Sequence, residues 1–179
     1  LMKTIFLKIS QQKQPNKQPP RTLGGRLCKT VEPTQEHTAT CFLLHGLGDT
    51  PDGWYQQAKF MLSTKLPNVR FILPAAPTMG VTINGGMPCP AWFDILGLSP
   101  MQNAQAPGIE DSRAELLACM DEEIQSGIAK ERIFLAGFSQ GGALCMYTGL
   151  QLPYEIGGII CMSGYVPKQV PVIFFFFKN

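Results

Sequence analysis

The sequence has no long apolar run. Its longest uninterrupted one is Val172 to Phe177, six residues, against the roughly 20 that a membrane-spanning helix needs. It also lacks any C-x-x-C pair among its six cysteines, Cys28, Cys41, Cys89, Cys119, Cys145 and Cys161. Several of these sit inside apolar stretches such as Ala143-Leu144-Cys145-Met146 and Ile159-Ile160-Cys161-Met162, where free thiols behave as small hydrophobes. That usage argues against a disulfide scaffold and for a reducing, cytoplasmic setting. The first 30 residues carry no acidic residue and seven basic ones, whereas residues 31–179 carry eight basic and thirteen acidic. The globular part is therefore mildly acidic, which makes nucleic acid a poor partner for it. There are only two histidines, His37 and His45. The set Cys28, His37, Cys41 and His45 has no recognised zinc-ligand spacing, so no metal is expected.

What is present suits one domain. A chain of 179 residues, 45% hydrophobic and 16% charged, can bury roughly 70% of its unfolded surface. Residues 1–37 read as a basic, polar and solvated tail. Their only apolar core near the start is Ile5-Phe6-Leu7, short of the about 7 to 15 residues of a secretory segment. From residue 38 the pattern changes. Thr40 to Leu44 is a continuous apolar run, as in a strand buried on both faces. Asp52 to Leu66 predicts a helix with Trp54, Ala58, Met61 and Leu62 on one side. Val69 to Leu73 predicts a second strand, and residues 74–108, rich in Gly, Pro and Met, a long functional loop. Ile109 to Ile128 predicts a helix with a stripe of Ala114, Leu117, Met120, Ile124 and Ile128. Arg132 to Ala136, Ala143 to Leu150 and Gly158 to Met162 then read as strand, helix and strand. This alternation is that of an α/β protein with a mostly parallel sheet covered on both faces. Residues 171–179, with Phe174 to Phe177, fit no period and form a segment prone to aggregate if exposed.

The sharpest motif is Gly137-Phe138-Ser139-Gln140-Gly141-Gly142, which follows one predicted strand and opens a predicted helix. G-x-S-x-G in that context is the nucleophile elbow, a turn so tight that small neighbours are required. Ser139 Oγ then projects beyond the carboxyl end of the sheet, and the Gln140 backbone N–H points where an oxyanion forms. His45-Gly46-Leu47-Gly48-Asp49 follows the first strand, and the Leu47 N–H is the natural second oxyanion donor. His45 precedes Ser139, out of order for the base of such a hydrolase, and is read as organising its loop.

These motifs, with Pro74-Ala75-Ala76-Pro77 and Trp92-Phe93-Asp94-Ile95, resemble the acyl-protein thioesterase branch of the carboxylesterase and lysophospholipase α/β-hydrolases over residues 38–167. The resemblance implies a serine hydrolase without cofactor or metal. Its substrates would be long-chain acyl thioesters on protein cysteines, or acyl esters of lysophospholipids, with at most peripheral membrane contact. It implies Ser139 as nucleophile, Leu47 and Gln140 as oxyanion donors, and Leu96, Leu98 and Met101 as bordering the acyl-binding surface beside Trp92, itself either a substrate contact or, as a tryptophan more often is, a packing anchor. It also implies an Asp and a His after the Gly158 strand. After Ser139 the sequence has Glu155 as its one acidic residue and no histidine. Residues 38–170 are therefore expected to be a partial hydrolase domain, missing its last strands and helices and inactive as it stands. The alternatives are a catalytically dead acyl- or lipid-binding module, or a truncated gene or splice product.

Overall fold

A computed structural model describes residues 22–99, 102 and 104–167. The tail at residues 1–21, Met101 and the Phe-rich segment 171–179 lie outside the described residues. The centre is a five-stranded sheet in the order β3-β5-β4-β8-β9. Its strands are β3 (Lys29–Val31), β4 (Ala39–Leu44), β5 (Val69–Leu73), β8 (Ile133–Phe138) and β9 (Gly158–Met162). Four of them are parallel, and β3 adds an antiparallel edge by pairing Lys29–Val31 with Phe71–Leu73. All six residues of β4 are buried, as expected of the middle strand of a sheet covered on both sides.

Side chains alternate between the faces. Phe42, Leu44, Ile72, Ile133 and Leu135 pack under helices α3 (Ile109–Gln125) and α4 (Gln140–Gly149). Cys41, Leu43, Phe71, Leu73 and Ala136 face the other way, onto α1 (Asp52–Gln57) and the turns after it. On that second face an apolar groove of about 480 Å³ runs between Trp54 and Leu62 on one side and Ile160 and Met162 on the other, over Phe71 and Ala136.

Three expectations need correction. The solvated tail does not extend to residue 37: β1 (Thr22–Leu23) and β2 (Arg26–Leu27) form a hairpin whose Leu23 is buried, and β3 joins the main sheet. These strands of two or three residues leave too short a pattern for a period to register. The helix from Asp52 is interrupted by a π turn, Ala58–Leu62, before a last turn, α2 (Ser63–Lys65). The wider turn buries Ala58 and Ser63, five apart, and turns Met61 to solvent at 61% exposure. Of the stripe expected on α3 and just after it, Met120 and Ile128 are buried and Leu117 and Ile124 pack against the same core, but Ala114 is exposed, and the buried positions of α3 are Ile109, Ser112, Leu116, Cys119, Met120 and Glu123. Two polar side chains belong to that stripe because both find partners: Ser112 Oγ donates to the Trp92 carbonyl, and Glu123 accepts from Arg70 and Thr40. The long loop 74–108 also contains a hairpin, β6 (Thr78–Val81) with β7 (Met87–Pro90).

Candidate active site

The register of the sheet assembles the site. Leu44, the last residue of β4, lies opposite Gly137 of β8. The turns that leave these two strands therefore start side by side at the carboxyl end of the sheet, where ligands of open α/β sheets bind. Their backbones touch. A Cβ on Gly46 would lie 3.2 Å from Phe138 Cδ1 and 3.6 Å from Ser139 Cβ, and one on Gly141 would lie 2.5 Å from the His45 carbonyl oxygen.

Ser139 stands between the end of β8 and the start of α4 with φ 50° and ψ −116°. A serine in that region is strained by about 1–3 kcal/mol, and such strain persists where the surroundings over-determine it. Here its N–H donates to the Met162 carbonyl at 2.8 Å, and its carbonyl accepts the first helical bond, from Ala143 N–H, at 3.0 Å. The amides of Gln140, Gly141 and Gly142 thus belong to the first turn, where N–H groups have no intrahelical acceptor and carry the positive end of the helix dipole. In the facing turn, Gly48 N–H donates to Pro90 O and Asp49 N–H to Gly46 O. Among the described residues the Leu47 N–H just before them has no backbone acceptor.

His45 is not arranged as a base. It is 1% exposed, and Ala76 N–H donates to its Nε2 at 3.1 Å. Nε2 is therefore the unprotonated nitrogen, and Nδ1–H donates to the Gly46 carbonyl at 2.8 Å. With both nitrogens engaged, and burial holding its pKa below the usual histidine value, the neutral ring braces its own turn. His37 lies at the other end of the sheet, bonded to Thr40 at the start of β4 and 3.6 Å from the Glu123 carboxylate. Strand β4 rises roughly 3.3 Å per residue toward the site, which keeps His37 away from Ser139, while at the site end both ring nitrogens of His45 are already engaged. Glu155 is exposed and precedes β9, also at the far end. Among the described residues no three His, Cys, Asp or Glu side chains converge as a metal site requires.

For Trp92 the structure favours the packing anchor over the substrate contact. It is 1% exposed, its indole N–H donates to the His45 carbonyl at 2.8 Å, and its ring lies 5.1 Å from the His45 ring. It is a buried support for the His45 turn, not a wall that a substrate touches, because an indole that spans the gap between two turns has no face left over. Leu96 is partly buried and Leu98 is 80% exposed; Met101 lies outside the described residues. Two features escaped the sequence. The Gln140 side chain accepts from Trp92 N–H at 2.9 Å and donates to Phe93 O at 2.7 Å. At the opposite end, Arg70 bridges the buried Glu123 and the exposed Glu32. A polar residue on an otherwise apolar helix stripe is the signal that would have found Glu123.

Strand-turn-helix serine, adjoining glycine turn and mostly parallel sheet define an α/β-hydrolase. Residues 27–172 match the phospholipase/carboxylesterase family model, and the chain belongs to that family. It is 43% identical over 147 residues to acyl-protein thioesterase 1 of Cryptococcus neoformans, covering 80% of this chain and 61% of that one. It is 40% identical over 139 residues to acyl-protein thioesterase 1 of Schizosaccharomyces pombe, covering 76% and 60%. The crystal structure of Zea mays acyl-protein thioesterase 2 superposes with a TM-score of 0.64 at 30% identity, covering 78% of this chain and 62% of that one. The chain thus spans about three fifths of the length of the curated relatives it matches. Among the described residues no helix is long and apolar enough to cross a membrane.

Proposed function

We propose that this chain carries the nucleophile and oxyanion hole of a cytoplasmic serine hydrolase of the acyl-protein thioesterase type. Ser139 Oγ attacks the carbonyl carbon of a long-chain acyl thioester on a protein cysteine, or of a lysophospholipid acyl ester. The carbonyl π electrons move to oxygen, and the Leu47 and Gln140 amides hold the resulting oxyanion. Collapse expels the thiolate or alkoxide, which takes up a proton to balance the one lost from Ser139 Oγ, and leaves the acyl group on Ser139. Water then attacks the acyl-enzyme through the same oxyanion and releases the acid. Leu96 and Leu98 border the acyl chain. The observation that carries this reading is the strained Ser139 turn, held against Gly46 at the mouth of α4.

A serine hydroxyl is a weak nucleophile without a base, and both histidines of the 179 residues are committed elsewhere. That observation favours a second reading, in which residues 1–179 bind acyl groups but turn over slowly. One experiment separates the two. Residues 1–179 and a chimera with a relative's Asp- and His-bearing segment grafted after Pro167 are assayed on a palmitoyl-cysteine peptide and on lysophosphatidylcholine. The expected result is turnover by the chimera alone, abolished by Ser139→Ala. Turnover by the chimera that survives Ser139→Ala would sink the nucleophile assignment. Robust Ser139-dependent turnover by residues 1–179 would overturn the second reading.

A further inference from the structure

Three turns meet at the proposed oxyanion hole: the elbow at Ser139–Gln140, the His45–Leu47 turn, and the Trp92–Phe93 segment. The sheet ladder pairs the strands under the first two only as far as Leu44 and Gly137, and beyond that Gly46 and Gly141 let the two turns pack against each other. Two side chains tie both of them to the third. The Gln140 carboxamide, 1% exposed, accepts from Trp92 N–H at 2.9 Å and donates to Phe93 O at 2.7 Å. The Trp92 indole N–H then donates to the His45 carbonyl at 2.8 Å. The chain of bonds runs from the residue that bears one oxyanion donor to the turn that bears the other.

We propose that Gln140 and Trp92 form a single clamp that sets the distance between the Gln140 and Leu47 amides, and that Gln140 is thereby a positioning residue as well as an oxyanion donor. This rests on the reading of Ser139 as nucleophile. The chemistry of the clamp is specific. Only a neutral group with one acceptor and one donor at glutamine's length satisfies both Trp92 N–H and Phe93 O. A carboxylate accepts but cannot donate, and leaves Phe93 O without its partner. A thioether of the same length does neither. A protonated carboxylic acid, however, restores both bonds.

The test uses a transition-state mimic, so it needs no turnover. The 179-residue chain is titrated with a long-chain alkylboronic acid and followed by boron NMR. Boron accepts a lone pair from Ser139 Oγ, the hydroxyl proton passes to solvent, and the negative charge sits on a tetrahedral boronate whose oxygen occupies the hole. Gln140→Met should weaken the tetrahedral adduct at least about tenfold, less than the loss of a whole donor would cost. Gln140→Glu should weaken it as much at alkaline pH and approach the unsubstituted chain, compared at the same pH, once the carboxyl is protonated. A merely structural defect would not be mended by a proton. Trp92→Phe keeps the ring and removes the indole N–H, and should lower affinity in the same sense. Combined with Gln140→Met it should cost less than the sum of the two, as expected of parts of one unit. Equal affinities across the series, or Gln140→Glu without recovery at acid pH, would overturn the clamp. Absence of a Ser139-dependent adduct in the unsubstituted chain, judged against Ser139→Ala, would overturn the nucleophile reading and the clamp with it. A Ser139-dependent adduct in the unsubstituted chain with equal affinities across the variants sinks the clamp alone, which keeps the two failures apart.

Discussion

Gly141→Ala sets two effects of opposite sign against each other. In the first turn of α4, alanine should be worth about 0.8–1 kcal/mol over glycine from helix propensity. The new Cβ, however, would lie 2.5 Å from the His45 oxygen, 2.6 Å from the Leu44 oxygen and 2.8 Å from the Leu44 carbonyl carbon. All three are backbone atoms at the end of β4, a strand whose six residues are all buried, so none can swing aside as a side-chain tip would. Overpacking into a site that can partly yield costs about 1–3 kcal/mol, and this one belongs at the upper end. The net effect is a loss of about 2 kcal/mol, or roughly 4–8 °C in Tm for a domain of this size. Gly149→Ala, in the last turn of the same helix, is the control. Its Cβ would meet Ile159 Cδ1 at 2.4 Å and Cγ1 at 2.9 Å, a side chain that can change rotamer, so its net effect should be within about 1 kcal/mol of zero. Urea denaturation of both variants by far-UV circular dichroism gives the comparison. Because the strain falls on the His45 turn, Gly141→Ala should also weaken any Ser139 adduct, which Gly149→Ala should not. A Gly141→Ala protein as stable as the Gly149→Ala one would refute the close approach of the two turns.

Ser139→Gly should raise stability by about 1 kcal/mol. It relieves a φ of 50°, worth about 1–3 kcal/mol, against glycine's entropic cost of about 0.5–1 kcal/mol; a destabilised Ser139→Gly by the same denaturation would contradict the strain. Glu123→Ala leaves the Arg70 guanidinium, only 11% exposed, with Glu32 alone, and should cost about 3–5 kcal/mol with no change at the Ser139 turn; a loss under 1 kcal/mol would remove the buried pair from the account. Stability should fall below pH about 6.5. Burial lowers the pKa of both His37 and His45 from the ordinary histidine value, so the unfolded chain takes up protons first. Each such histidine stabilises fully above its unfolded pKa and less as pH falls toward its folded one, with a slope of at most about 1.4 kcal/mol per pH unit per histidine. A flat stability profile from pH 7.5 to 5.5 would refute this.

How much of this was legible in the sequence follows from where each signal is stored. Strands β4, β5, β8 and β9 lie within one or two residues of their expected bounds because parallel strands must be apolar throughout. The elbow is written in six consecutive residues, since a turn that tight tolerates few side chains. What did not show was stored across the chain. Strand β3 is held by Phe71–Leu73, some 40 residues away, and its own Lys29-Thr30-Val31 carries no period. The π turn displaces Met61 by a change of helical pitch that no 3.6-residue template contains. Glu123 and Ser112 were missed because a polar residue on a helix stripe normally subtracts from the pattern, and only the three-dimensional partners Arg70, Thr40 and Trp92 turn it into part of the core. The same logic governs the site. Ser139 could be found because its constraint is local. Trp92 stayed between packing anchor and substrate contact because its constraint is not: its indole bond to His45 spans 47 residues, and so does each bond between Gln140 and the Trp92–Phe93 segment to within one residue. In this chain the proposed nucleophile is specified by sequence neighbours, and the geometry of the hole proposed beside it is specified by contacts between turns that the sheet alone brings together.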